Sequence, residues 1–227
     1  MNFDVAFYSE RGGRTVNEDA VSVSGTPEKL LALVADGLGG MGDGEVASRD
    51  AVSYLSDLLR FPVDEDLLCD AVLEENRRII HMHESGKQMM TTIAALWSDR
   101  KQTLAATIGD TRLYQFRKGQ IVFQSTDHSV AQLAVFSGEI TQAQLREYPG
   151  RNRLLRALGA EQEVQVELNE LKAFPGDRFL LCSDGFWELI TETEMLNWNA
   201  TDTAAAWLER MKTLVDARCG LRGDNHS

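Results

Sequence analysis

Apolar and polar positions follow two different periods along this chain, and the switches between them outline its elements. Residues 3–8 alternate and predict a strand. Two apolar runs, 20–24 and 29–35, flank Gly25, Thr26 and Pro27, the pattern of a hairpin. From Gly44 the period changes. Val46, Ala47, Ala51, Tyr54, Leu55 and Leu58 recur at helical spacing and predict an amphipathic helix ending near Phe61 and Pro62. A second helix is expected from Asp64 to about Glu84, with Leu67, Leu68, Val72, Ile79 and Ile80 toward the core. Strand patterns return at 91–98, 103–109, 112–117 and 120–126, with turns at 98–102 and at Lys118-Gly119. Residues 131–157 are mixed and read as helical, broken at Gly138 and Pro149-Gly150. Strands at 164–168 and 178–184 and helices at 191–197 and 202–216 complete the chain.

Strand runs interrupted by a pair of helices predict antiparallel sheet covered by helices, an α+β sandwich rather than a regular βαβ alternation. No repeat, low-complexity linker or proline-rich boundary divides the chain, so residues 1–227 read as a single domain. The formal net charge of -12, from 35 acidic and 23 basic residues, argues against sequence-independent nucleic-acid binding, which needs a basic face. It leaves a phosphorylated ligand open, provided that cations or a few arginines offset the repulsion. Cys69, Cys182 and Cys219 form no Cys-x-x-Cys pair and fit a reduced, intracellular protein. The N-terminus has no signal-peptide core and no apolar run reaches membrane-spanning length, so a cytoplasmic location without membrane contact is expected.

Candidate chemistry gathers in acids at the ends of strands. The segment LVADGLGG (33–40) is echoed by LLCSDGFWE (180–188), and each delivers an Asp-Gly, at Asp36 and Asp184, to the end of an apolar run. Glu18 and Asp19 in RTVNEDA, Asp110 in IGDTR and Asp224 beside Asn225 add three more acidic places. Each alone is ordinary turn chemistry. Their recurrence favours convergence, and convergent carboxylates raise one another's pKa unless a cation lies between them. Oxygen donors with no thiolate or histidine cluster select a hard divalent ion such as Mg²⁺ or Mn²⁺. The glycines after Asp36 make neither a P-loop, since no lysine follows them, nor a dinucleotide fingerprint. His81 and His83, two apart on a helix, point to different faces and read as packing rather than ligands.

The ordered motifs RGGRTVNEDA, VADGLGGMGDGEVAS, TTIAAL, IGDTRLYQF, STDHSV, RNRLLRALG, LLCSDGFWELI and GDN resemble the metal-dependent serine/threonine phosphatases of the PPM (type 2C) family, most closely its compact bacterial members. That resemblance covers nearly the whole chain. It implies a four-layer α-β-β-α sandwich with the metal site between two central antiparallel β-sheets. It implies two core Mn²⁺ or Mg²⁺ ions, with Asp36 bridging them, the Gly37 carbonyl on the first, and Asp184 and Asp224 on the second. Asp110, with Asp184, corresponds to the holders of a third, weaker ion. Glu18 and Asp19 would hold metal-bound waters, and Arg14 would grip the substrate phosphate. The implied activity is hydrolysis of phosphoserine and phosphothreonine by a metal-bridging hydroxide, without a covalent phosphoenzyme. Cys182 and Cys69 are then core residues, not nucleophiles. The implied partners are a phosphorylated protein and an opposing serine/threonine kinase, with no nucleic acid.

Residues 131–157 fall where the family carries a flap, in which Arg146, Arg151, Arg153 and Arg156 read either as phosphopeptide contacts or as solvated charges. Thr126, Asp127 and His128 match a motif of mainly structural character. Three departures stand out. Leu38 replaces a histidine found in many relatives, chiefly eukaryotic, so a water must supply the leaving-group proton. Thr111 replaces a usual serine, and the sequence stops at Ser227 where the family runs on into a closing strand; either it ends early or that strand is absent, and its absence would leave Asp224 less firmly held. The alternative is a weak or inactive phosphatase-fold module that binds a phosphoprotein or kinase. Loss of a primary acid would favour it, and none is lost.

Overall fold

The computed structural model describes residues 3–39, 43–60, 62–83, 89–99, 101–198, 201–221 and 223–227. Strands β1 (Asp19–Thr26) and β2 (Lys29–Leu38) form the expected hairpin, in a register running from Asp19 opposite Asp36 to Thr26 opposite Lys29. β2 pairs on its other side with β3 (Met90–Thr91) and β4 (Ile93–Ser98), followed outward by β5 (Thr103–Ile108) and β8 (Glu167–Glu170). A second sheet places β6 (Arg112–Arg117) between β7 (Gln120–Gln124) and β9 (Arg178–Cys182). Every pairing is antiparallel.

The period-two alternation of these strands sorts the layers. Leu31, Leu33, Ala35, Ile93, Ala95 and Trp97 face helices α1 (Asp43–Leu58) and α2 (Glu65–Met82). The intervening Leu96 and Ala105 meet Leu113 and Leu171 between the two sheets. On the far side, Tyr114, Phe116 and Leu180 pack against the short helices α4 (Asp184–Trp187) and α5 (Glu192–Met195) and against α6 (Ala204–Cys219), through Phe186, Met195, Trp207, Met211 and Val215. The order helix, sheet, sheet, helix is the four-layer α+β sandwich anticipated. Fully buried side chains such as Leu33 and Leu55 each contribute about 2 kcal/mol by leaving water. No helix among the described residues is long and apolar enough to cross a membrane.

Several boundaries differ from expectation, each for a local reason. Residues 3–8 form no strand. Their flank is a cavity of about 990 Å³ lined by Phe3, Val5, Phe7, Leu180 and Trp207 among others, and only Glu10 makes a bridge, to His226. The hairpin turns at Pro27-Glu28, because Gly25 and Thr26 still pair with Leu30 and Lys29. Within 131–157 only α3 (Val130–Phe136) and a 3-10 turn (Gln142–Glu147) are helical, and Gly138 and Gly150, at φ 77° and 79°, mark the breaks. The strand expected at 164–168 sits at β8, where register with β5 fixes it. β9 stops at Cys182 because Ser183 already begins α4. The expected ends of the first two helices, at Phe61 and Glu84, lie outside the described residues.

Helix α2 carries a fully buried acid. Its N-cap is Asp64, whose carboxylate accepts from the Leu67 N–H at 2.8 Å. One face turns Glu75 inward toward Asp50 of α1. Arg78 lies between them, 3.1 Å from the Glu75 carboxylate and 3.2 Å from that of Asp50. Burial first, then the Asp50 charge, push the Glu75 carboxyl up to about 8, only partly opposed by Arg78. The folded state therefore holds a proton that the unfolded state releases near 4.5, and stability falls as pH rises from about 4.5 through about 8. Glu75→Gln is expected to flatten that decline and to melt above wild type at about pH 9. Thermal melts of both proteins across this range check it, and an unchanged slope would contradict it.

Candidate metal centre

The acids at strand ends come together where the two sheets meet. Asp36 lies directly opposite Asp19 in the β1–β2 register. Its backbone is fixed from the β3–β4 side: its N–H donates to the Thr92 hydroxyl at 2.9 Å, and its carbonyl accepts from the Thr92 N–H and the Thr91 hydroxyl, each at 2.9 Å. The Thr92 hydroxyl is also hydrogen-bonded to that of Thr111, which ties the Asp36 strand to the loop bearing Asp110. Gly109 enables this approach. It sits at φ 96°, and a Cβ there would lie 2.5 Å from the Thr92 side chain.

Asp184 opens α4 at the end of β9, and Asp224 arrives from the other end of the chain. Asn225 staples that end to the loop before β1. Its side chain donates to the Arg11 and Val16 carbonyls, at 2.9 and 3.0 Å, and accepts from the Glu18 N–H at 2.9 Å. The glycine after each aspartate has the same purpose. A Cβ on Gly185 would lie 2.1 Å from the Asn225 carbonyl oxygen, and one on Gly37 would lie 2.2 Å from that of Gly44. The Asp-Gly echo in the sequence is thus a pair of places where backbone must approach backbone beside an acid.

The charge this gathers is not neutralised. Asp19 and Asp110 are buried, while Asp36 and Asp184 keep part of their surface open. Burial, then the charges of Asp184, Asp19, Asp110 and Asp224, hold the Asp36 carboxyl well above the usual carboxylate range. Asp110 is raised likewise, by burial and by Asp184. Burial and the charges of Glu188 and Asp224 push Asp184 to about 7. Burial lifts Asp19 to about 6, although hydrogen bonds from Ser183 and Ser227 favour its charged form. Glu18 is also raised, chiefly by burial and against the pull of Arg14. Among the described residues, Glu18 Oε1 and Asp19 Oδ1 are buried without a hydrogen-bond partner. Arg14 donates to Asp224 at 2.6 Å, and Arg112, two residues after Asp110, is committed to Asp127. An oxygen-only set of acids in charge excess, with buried oxygens unpartnered, fits hard divalent cations.

A family model described as protein phosphatase 2C matches residues 8–219. The chain belongs to the protein phosphatase 2C family. Among its relatives, the serine/threonine phosphatase stp of Listeria monocytogenes is 35% identical over 201 residues, spanning 83% of this chain and 80% of the relative. The PPM Ser-Thr phosphatase MsPP of Mycobacterium smegmatis, solved in complex with cacodylate, superposes with a TM-score of 0.84 at 30% identity, over 96% of this chain and 93% of that one. The catalytic domain of the phosphatase PstP, solved with 2 manganese ions, gives 0.82 at 31% identity over the same shares.

In this phosphatase 2C chain the acids singled out from sequence, Asp36, Asp19, Asp184, Asp110, Asp224 and Glu18, occupy one region, and Arg14 reaches it through Asp224. The Gly37 carbonyl lies against Gly44 at the start of α1. Gly40 and Gly42 lie outside the described residues. Asp127 accepts from two of the three Arg112 nitrogens, at 2.8 and 2.6 Å, so its carboxylate is already engaged. Cys182 is buried with its thiol pushed far above the ordinary range by desolvation, unsuited to nucleophilic attack. His83 is taken up with the Met89 backbone. Arg146 and Arg151 are spent on Glu192 and Glu188 and on the Trp187 and Ile190 carbonyls.

Sequence reasoning passed over Thr92, Thr111 as a tether, Ser183 and Asn225. Thr111, Ser183 and Asn225 each follow or precede a quoted acid and Thr92 meets one across the fold, but their roles are backbone or hydroxyl contacts that no spacing rule announces. It assigned nothing to His226 and passed over Glu10 and Asp216, the three having ligand atoms within 4.8 Å of one another. There Lys212 already supplies the cation, at 2.8 Å from Glu10 and 2.7 Å from Asp216. Gly37→Ala is expected to overpack the Gly44 backbone at a cost of about 1–3 kcal/mol and to weaken Mn²⁺ binding. Thermal melts and calorimetric titration check both, and a variant with unchanged stability and affinity would contradict the close approach.

Proposed function

We propose that this chain removes phosphate from phosphoserine and phosphothreonine in proteins, with Mn²⁺ or Mg²⁺ as cofactor. The convergence of Asp36, Asp19, Asp184, Asp110 and Asp224 without matching cations carries the reading. Asp36, the Gly37 carbonyl, Asp184 and Asp224 are the groups assigned to two core ions, and Asp110 with Asp184 to a third, weaker one. Such ions activate water near neutral pH and offset charge on the phosphoryl oxygens. Glu18 and Asp19, with their unpartnered oxygens, are assigned to orienting water around the ions.

Arg14, about half exposed, is assigned to the phosphate, where its fork matches two phosphoryl oxygens. Its ion pair with Asp224 gives the guanidinium a fixed starting place and makes Asp224 and the phosphate competitors for it. Leu38 offers no proton, so none of the leaving-group chemistry is assigned to it. Segment 131–157, anchored to α4 through Arg146 and Arg151, is assigned as the flap beside the site within a single domain. A phosphorylated protein, an opposing serine/threonine kinase and a cytoplasmic setting complete the proposal.

Wild type with Mn²⁺ is expected to release phosphate from a phosphothreonine peptide, and chelation to stop it. Asp36→Asn is expected to lose at least about 100-fold in rate, the scale of several kcal/mol of charge stabilisation. Arg14→Ala is expected to raise KM about 10-fold or more, the worth of one charge-assisted contact. Steady-state kinetics check both. Metal-replete wild type without turnover would overturn the reading in favour of a binding module.

A further inference from the structure

Arg112 and Trp187 are fully buried, lie beside the acids, and have no part in the roles assigned so far. Arg112 follows Asp110 by two positions, and Trp187 follows Asp184 by three, one turn along α4. On β6 the side chains of Tyr114 and Phe116 point into the apolar layer of helices, and Arg112 shares their face. A guanidinium there must be fully satisfied. Asp127 accepts from Nε and Nη2 at 2.8 and 2.6 Å, and the Tyr114 hydroxyl accepts from Nη1 at 2.9 Å. Its flat face lies 3.5 Å from the centre of the Trp187 ring.

That stack fixes the plane of the indole. The main chain of Trp187 is fixed separately, since Arg146 donates to its carbonyl at 3.0 Å and to that of Ile190 at 3.0 Å. Held at both ends, the indole N–H donates to the Asp110 carbonyl oxygen at 2.8 Å. This bond joins the loop after β5, in the larger sheet, to the helix that begins with Asp184, on the smaller one. It fixes the peptide from which the Asp110 carboxylate projects.

We propose that Trp187, held flat by the Arg112–Asp127 pair, is a positioning residue that sets Asp110 against Asp184 and so tunes the cation site these two acids share. The inference rests on Asp110 and Asp184 being ligands, as assigned above. A side chain that only filled the core would support every cation site equally. A side chain acting through one hydrogen bond to Asp110 affects the site built on Asp110.

Mn²⁺ titrations by calorimetry, with free Mn²⁺ counted by electron paramagnetic resonance, separate these outcomes on wild type, Asp110→Asn and Trp187→Phe. Phenylalanine keeps a ring over Arg112 and removes the N–H. Asp110→Asn is expected to abolish the weakest class of sites, and Trp187→Phe to weaken that class about 10-fold, the scale of one hydrogen bond. The tighter classes stay within about twofold of wild type. If Asp110→Asn leaves the titration unchanged, the ligand assignment fails and the inference with it. If Asp110→Asn removes a class but Trp187→Phe leaves it unchanged, or weakens all classes alike, the inference alone is overturned. Should Trp187→Phe fail to fold, Arg146→Ala, at a side chain 20% exposed, releases the same clamp. It is expected to weaken the same class about threefold, and no selective loss overturns the inference.

Discussion

Holding several carboxylates together against their mutual repulsion is the constraint on which this structure turns. Asp36, Asp19, Asp184, Asp110 and Asp224 come from both sheets and from the far end of the chain, and each raises or feels the charge of the others. Repulsion of this kind would spread a loosely built site. What prevents it is a set of contacts that involve almost no carboxylate at all: the Thr92 hydroxyl on the Asp36 N–H, the Asn225 amide across residues 11–18, and the Trp187 N–H on the Asp110 carbonyl. These contacts act through the backbone, while Ser183 and Arg14 each engage one carboxylate oxygen, on Asp19 and on Asp224.

The same division explains why glycine follows both Asp36 and Asp184. In a hydrophobic sandwich the strands deliver side chains to alternate faces, and a strand end reaches the seam between sheets only if a neighbouring chain segment can lie against it. At Gly37 that segment is the first turn of α1. At Gly185 it is the chain end carrying Asp224 and Asn225. Packing, backbone approach and charge placement are therefore one arrangement here, and Arg14 enters it as the half-exposed cation paired with Asp224.

Much of this was legible in the sequence because it depends on strong local patterns. The helical period from Gly44, the Asp64 cap and the apolar runs of β2 and β4 specify two helices on one sheet almost without context. The acids stood out because a carboxylate ending an apolar run is costly unless something compensates it. Less was legible where structure depends on a distant partner. Residues 3–8 alternate like a strand, yet pairing decides the matter and none reaches them. Arg146 and Arg151 look like free charges until Glu192 and Glu188 are seen beside them. Arg112 and Asp127 are 15 residues apart, and nothing in either neighbourhood marks them as one buried pair stacked on an indole.

The most direct test of the account is anomalous scattering from crystals soaked in Mn²⁺. Two strong peaks sharing the Asp36 carboxylate are expected, one also contacting the Gly37 carbonyl and the other Asp184 and Asp224, with a weaker third between Asp110 and Asp184. Peaks only at the surface, with none coordinated by Asp36, would contradict it.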